Sequence, residues 1–143
     1  MLTDLQYAAV GKLTLSFNHI EWTFAELIAH LGGTENRGLR GSFSKKAGRL
    51  RSLLGNIEKG NPAINLAVHD LQIHIQKAED VARLRNEYVH ALVVHDFATN
   101  ITKVRIKDDE RILWPRELTL LAVESIMLAE NIQRFGNELL SLL

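Results

Sequence analysis

The segment from Glu79 to Asp96, EDVARLRNEYVHALVVHD, passes from a helical pattern into a strand-like one. Its helical part continues an apolar stripe, in steps of three and four residues, made of Ile64, Val68, Leu71, Ile75, Ala78, Ala82 and Val89. At about 100° per residue, Arg85 lies roughly 40° to one side of the stripe's centre and Asn86 roughly 60° to the other. Both take positions where a hydrophobic residue is expected, and a guanidinium buried there needs a partner.

The first predicted helix contains an acidic residue in a comparable position. It begins with Thr3-Asp4-Leu5-Gln6, which has the form of a capping box, and Gly32-Gly33 ends it. Glu21 interrupts its apolar stripe, about 40° from the centre. In an up-down-up-down bundle the first and third helices run parallel, which would bring Glu21 and Arg85 to matching heights. We predict that the two residues pair or lie close together; the alternative is that Glu21 lies at the solvent boundary.

The rest of the chain predicts three further helices and a hairpin. A serine, Ser42 or Ser44, can cap the second helix, Asn61-Pro62 begins the third, and Pro115 begins the fourth. Apolar and β-branched runs between the third and fourth helices favour strands. The expected fold is mainly α, one domain over residues 1–143: a four-helix up-down bundle with helices at about 3–31, 44–59, 62–90 and 115–142, and a short β-hairpin at about 92–114 between helices 3 and 4.

Composition excludes several classes of protein. The formal net charge is zero, so bulk charge does not indicate nucleic acid or membrane binding, and the absence of cysteine excludes disulfides and thiolate metal sites. None of the six histidines belongs to a His-Glu-x-x-His motif, and no nucleotide-binding glycine loop occurs, so neither a metal nor another cofactor is expected. With no signal-like or membrane-spanning stretch, we expect a cytoplasmic protein.

One segment is strongly basic although the whole chain is neutral. It has no acidic residue between Glu35 and Glu58, and its cations are Arg37, Arg40, Lys45, Lys46, Arg49 and Arg51. Such a run is either a solvated helix face or a surface that follows the phosphates of RNA. Both interpretations stay open from the sequence.

The fourth predicted helix is apolar on more than one side. Besides its regular stripe it carries Leu118, Leu120, Val123, Ile126 and Met127. A helix with so wide an apolar arc has more than one surface to cover. We therefore expect a homodimer.

Arg85, Asn86 and His90 combine groups that could act on a phosphate. Asn86 and His90 are four residues apart on one helix face, so the amide can orient the imidazole. An imidazole transfers protons near neutral pH, and Arg85 supplies a fixed cation for a phosphate oxygen. A two-fold dimer would provide both a base and an acid. The alternative is a structural Arg–Glu pair beside a histidine at the helix boundary.

At these residues the chain resembles the HEPN (higher eukaryotes and prokaryotes nucleotide-binding) superfamily. The family's signature is an arginine and a histidine four to six residues apart near the end of the third helix of a four-helix bundle. A small polar residue often follows the arginine, and Arg85, Asn86 and His90 match this pattern. The predicted bundle and hairpin extend the resemblance in architecture over the whole chain.

The resemblance implies a metal-independent endoribonuclease that acts as a dimer. Such enzymes include toxins that an antitoxin protein inhibits. In such enzymes the histidine would transfer the 2′-hydroxyl proton, the arginine would stabilise the phosphate, and a 2′,3′-cyclic phosphate would result. Glu21 is not part of the signature and rests on the helical-wheel reasoning. Other members are inactive, so a non-catalytic dimerisation or protein-binding module, with Arg85 in a structural salt bridge, is the second hypothesis.

Overall fold

A computed structural model describes residues 3–32, 41–89, 92–96, 101–106, 109–112 and 115–143. This part of the chain is mainly helical, as predicted, and contains four helices: α1 (Asp4–Gly32), α2 (Phe43–Gly55), α3 (Pro62–Val89) and α4 (Pro115–Leu142). Three short strands, β1 (Leu92–Asp96), β2 (Ile101–Ile106) and β3 (Asp109–Ile112), lie between α3 and α4, where the sequence predicts a hairpin. They form an antiparallel sheet in the order β1-β2-β3, with Leu92 opposite Arg105.

Polar side chains cap the starts of three helices. The predicted capping box is present on α1, because the Thr3 N–H donates to Gln6 Oε1 (2.9 Å) and the Gln6 N–H donates to Thr3 Oγ1 (3.2 Å). Ser42 caps α2 by accepting from the Lys45 N–H, and Asn61 caps α3 by accepting from the Ala63 N–H. These caps satisfy N–H groups that have no partner within the helix.

The second helix ends at Gly55, earlier than the predicted end near residue 59. Asn56 is its C-cap, and the Asn56 N–H donates to the carbonyl oxygens of Ser52 and Leu53. The prediction placed the end of the helix one residue before Gly60. It was wrong because Gly55 and Asn56, two poor helix formers in succession, end the helix first.

A single core of buried hydrophobic residues joins the four helices. The largest fully buried side chains are Leu13, Phe17, Ile20, Phe24, Ile28, Leu50, Leu54, Leu71, Ile75, Leu118, Ile132 and Leu139. None of the described helices is long and apolar enough to cross a membrane.

Contacts between helices give their relative directions. Phe17 and Phe24 both contact Phe43 at the start of α2, whereas Gly32 at the end of α1 lies against Leu53 near the end of α2. The helices α1 and α2 therefore run in the same direction.

The helix α3 runs opposite to α2. Phe43 at the start of α2 shares a cleft with Arg85 late in α3, and Leu54 near the end of α2 shares a groove with Val68 early in α3. Helices α1 and α3 are consequently antiparallel, so the predicted up-down order with parallel first and third helices is wrong. That prediction took the alternating directions of an up-down bundle as its premise, but ten residues between Gly32 and Phe43 are enough chain to connect the end of α1 to a helix that begins at mid-height of α1.

Small residues recur on the buried face of α4, and one of them lies against α1. Ala122, Ala129 and Gly136 recur at every seventh position of α4 and face inward. A Cβ at Gly136 would lie only 3.2 Å from Leu27 Cδ1 of α1. Because the separation of two packed helices depends on the side chains between them, Gly136 permits the close approach of α4 to Leu27.

We predict that Gly136→Leu lowers the free energy of unfolding by about 1–3 kcal/mol, because its side chain must displace Leu27 from a packed interface. Denaturant unfolding monitored by circular dichroism measures the change. The matched control is Gly11→Leu, since a Cβ at Gly11 meets nothing within 4 Å and leucine is the better helix former. Equal losses in both variants would contradict the close packing at Gly136.

Candidate functional site: a charged cleft between the second and third helices

A cleft of about 790 Å³ lies between the start of α2 and the end of α3, with Glu21 of α1 on its wall. Its lining also includes Phe43, Glu79, Arg85 and Asn86. The cleft therefore collects Glu21, Arg85 and Asn86 from the predicted site. Residue 90 lies outside the described residues, so the structure does not place His90 relative to them.

Arg85 occupies the inner wall of this cleft. Its side chain is 20% exposed, and its Nη2 atom is 3.9 Å from Glu21 Oε1. The guanidinium carbon lies 4.4 Å from the ring centroid of Phe17, in a cation–π contact. Its Nε is buried and donates to no acceptor among the described residues. Arg85 is thus held in place by contacts from α1, and among the described residues its Nε has no acceptor.

The predicted proximity of Glu21 and Arg85 is confirmed. The helix directions on which the prediction relied are different, however. Since α1 and α3 are antiparallel, the late part of α3 reaches the level of Glu21 from the opposite direction. The two residues therefore meet because of where each helix begins and ends. Their proximity was predicted correctly, but from helix directions that are wrong.

Glu21 has a second cationic neighbour, Lys46 of α2. The Nζ atom of Lys46 is 3.6 Å from Glu21 Oε2, and Lys46 is only 7% exposed. The sequence predicts Lys46 on an exposed basic surface, either solvated or RNA-binding, and its burial corrects that expectation. The spacing contained a signal, because Lys46 is three residues after Phe43 and four before Leu50, both of which are buried.

Three phenylalanines hold the start of α2 against α1. The ring centroid of Phe43 is 5.1 Å from that of Phe17, edge to face, and 5.1 Å from that of Phe24. Such ring pairs stabilise beyond the area they bury. Because Lys46 follows Phe43 by one helical turn, this aromatic cluster also fixes where the lysine enters the bundle.

Arg51 is paired as well, farther along α2. Its guanidinium contacts the Glu79 carboxylate, and its Nη2 donates to Gln76 Oε1 (3.0 Å). Lys46 and Arg51, which the sequence predicts to bind RNA, therefore each contact a carboxylate within the protein. Lys45 and Arg49 lie on the exposed side of α2, and Arg37 and Arg40 lie outside the described residues.

Asn86 does not occupy a core position. It is exposed, whereas Val81, which was absent from the predicted stripe, is 2% exposed. Burial of Val81 shifts the inward face of α3 toward Arg85 and away from Asn86. The expectation that both polar residues replace hydrophobic ones therefore holds for Arg85 and is wrong for Asn86.

Comparison with known proteins adds no relative. No protein-family model, curated protein sequence or solved structure matches the chain. Within the described residues, no group of three or more histidines and carboxylates is arranged to hold a metal ion. The chemistry of the cleft must therefore be inferred from its own side chains.

We predict that Glu21→Gln lowers the free energy of unfolding by about 1–3 kcal/mol, because it leaves Lys46 and Arg85 with no counter-charge from α1. The expected loss is smaller than for a fully buried pair, because Glu21 is 29% exposed and solvent screens part of its charge. Glu26→Gln, on the exposed side of the same helix, is the control and should change stability by no more than about 0.5 kcal/mol. Urea unfolding of both variants measures the difference, and equal effects would remove the special role of Glu21.

Proposed function

We propose that this protein is a metal-independent endoribonuclease of the HEPN type, with Arg85 as the phosphate-binding cation of its cleft. The observation that carries the proposal is a guanidinium held by Phe17 and Glu21 at a cleft wall, with a buried Nε that has no acceptor among the described residues. A buried donor without a partner costs about 1–3 kcal/mol, so its persistence favours a role in binding. In this proposal the short sheet between α3 and α4 is the hairpin of a HEPN-type fold.

The proposed chemistry assigns one task to each residue. A 2′-hydroxyl oxygen of RNA attacks the adjacent phosphorus, His90 takes the hydroxyl proton, and the 5′-oxygen leaves with a proton from a second histidine. Arg85 stabilises the negative charge that develops on the phosphate, as a preorganised cation does in a partly enclosed site. Asn86 supports His90, and Glu21 orients Arg85. The products are a 2′,3′-cyclic phosphate and a free 5′-hydroxyl.

The basic segment would hold the RNA on either side of the cleft. Lys45 and Arg49 are the exposed candidates on α2. Arg37 and Arg40 are included because they belong to the same basic stretch of sequence. Lys46 and Arg51 have carboxylate partners, which reduces their share in non-specific binding. An enzyme of this kind fits a cytoplasmic toxin or defence component, inhibited by an antitoxin protein.

A homodimer is part of the proposal, because each chain supplies one histidine of the signature and the proposed reaction uses two. The exposed side of α4 carries Leu120 (58% exposed), Val123 (48%), Ile126 (41%) and Met127 (57%). Residues 120, 123 and 127 follow a helical spacing, so they form one apolar strip. A second copy would cover this strip.

A second candidate function is a non-catalytic dimerisation or protein-binding module. The observation in its favour is that Glu21 lies within ion-pair distance of both Lys46 and Arg85. An arginine in such a pair has a structural reason to be present. This candidate requires no activity from His90.

We expect the purified protein, expressed without an antitoxin, to cut single-stranded RNA in the presence of EDTA. His90→Ala and Arg85→Ala should each lower the rate by at least about 100-fold, because they remove proton transfer and charge stabilisation respectively. Gel analysis of a 5′-labelled RNA, with detection of the cyclic phosphate end, measures this. His69→Ala, on the exposed side of α3, is the control and should cut normally. If His90→Ala cuts as fast as the parent, the non-catalytic module is the better account.

The dimer is tested separately at the apolar strip of α4. We expect the parent to sediment as a dimer and Leu120→Glu/Met127→Glu to sediment as a monomer, because two charges would be buried in the interface. Leu15→Glu, at a leucine of α1 that is 69% exposed, should stay dimeric. Analytical ultracentrifugation over a concentration series measures the state, and a monomeric parent would rule out the proposed interface.

A further inference from the structure

We propose that Lys46 and Arg85 form a binding site for a single phosphate-like oxyanion, and that Glu21 is the intramolecular competitor that occupies this site in the free protein. The inference rests on the proposed function in one respect, since Arg85 and Glu21 line the cleft that would hold the scissile phosphate. It adds a second cation from a different helix and a carboxylate that controls access to both.

The distances indicate that Glu21 pairs loosely with each cation. Glu21 Oε2 is 3.6 Å from Lys46 Nζ, and Glu21 Oε1 is 3.9 Å from Arg85 Nη2. Charge-assisted hydrogen bonds between nitrogen and oxygen are about 2.7–2.9 Å long. One carboxylate thus spans two cations without a short hydrogen bond to either, and these three side chains together carry one excess positive charge.

Both cations retain features suited to an incoming anion. Lys46 is 7% exposed, so most of its side chain is removed from water and its charge is screened less than that of a lysine on an open surface. Arg85 is stacked on Phe17 and keeps a buried Nε without an acceptor in the described part of the chain. Arginine presents its donors in a planar fork that suits phosphate oxygens.

The Glu21 carboxylate indicates the size of the anion. Each of its two oxygens faces a different cation, so one group with two neighbouring oxygens reaches both Lys46 and Arg85. A phosphate also presents neighbouring oxygens, with further oxygens for the remaining donors of the two cations. It can therefore take the place of the carboxylate when Glu21 turns toward the open cleft. The affinity for phosphate then depends on how much more strongly the two cations bind phosphate than they bind the Glu21 carboxylate. Neutralising Glu21 therefore raises the affinity for phosphate.

The test uses inorganic phosphate and the whole chain. The melting temperature is measured against phosphate concentration, with potassium chloride keeping the ionic strength constant. In Glu21→Gln the phosphate-induced rise should exceed that of the parent by about 4 °C, which corresponds to roughly tenfold tighter binding in a domain of this size. Adding Lys46→Met to Glu21→Gln should abolish the extra rise.

Glu87→Gln is the matched control, because Glu87 lines the same cleft and has the same charge. It should respond to phosphate as the parent does. An equal gain in Glu87→Gln, or no gain in Glu21→Gln, overturns the proposal. Should Glu21→Gln fail to fold, the parent is compared with Lys46→Met: loss of the parent's own phosphate response supports the site, and an unchanged response refutes it.

A second measurement separates the sources of phosphate. Binding of a fluorescent oligodeoxynucleotide, which lacks the 2′-hydroxyl and is not cut by the proposed reaction, is followed by anisotropy. If Glu21→Gln binds the oligonucleotide more tightly than the parent does, the site is assigned to phosphodiesters. If only the response to inorganic phosphate increases, the site is assigned to free phosphate. If RNA is not cut but a gain persists, the anion site stands and the nuclease does not. If RNA is cut and neither probe gains, the anion site is wrong.

Discussion

The carboxylate of Glu21 links three helices through charge. It faces Lys46 of α2 and Arg85 of α3 from its position in α1, and all three side chains are largely removed from solvent. Taking two cations out of water is unfavourable unless an anion remains close to them. The positions of α2 and α3 around α1 are therefore constrained by one acidic side chain as well as by the core, and the walls of the cleft follow from this constraint.

Several parts of the fold were predictable because they depend on neighbouring residues. The capping box at Thr3 and the caps at Ser42 and Asn61 were visible in a few consecutive letters. Helix direction was not, because it depends on what the connection between Gly32 and Phe43 does in three dimensions. The early end of α2 was missed because two weak helix formers, Gly55 and Asn56, were given less weight than Gly60.

The candidate site was likewise predictable only in part from the sequence. Arg85 and Glu21 were found because each interrupts an apolar stripe on its own helix. Burial of Lys46 was missed although its spacing from Leu50 contained the signal, since the basic run around it was interpreted as a surface. Exposure of Asn86 could not be predicted from a stripe that omitted Val81, because one buried residue rotates the inward face of a helix end. The contact of Phe17 with Arg85 joins residues far apart in sequence, so no local pattern contained it.

The helices of the bundle are packed to different extents, so we expect α2 to open locally more readily than α1 and α4. The helices α1 and α4 are 29 and 28 residues long and contact one another extensively, whereas α2 has only 13 residues, of which two are glycines. A helix so short has little stability of its own and depends on its tertiary contacts. Amide hydrogens of α2 should therefore exchange with solvent through local opening, before those of α1 and α4. Such opening would carry Lys46 away from Glu21 while the frame that holds Arg85 stays folded.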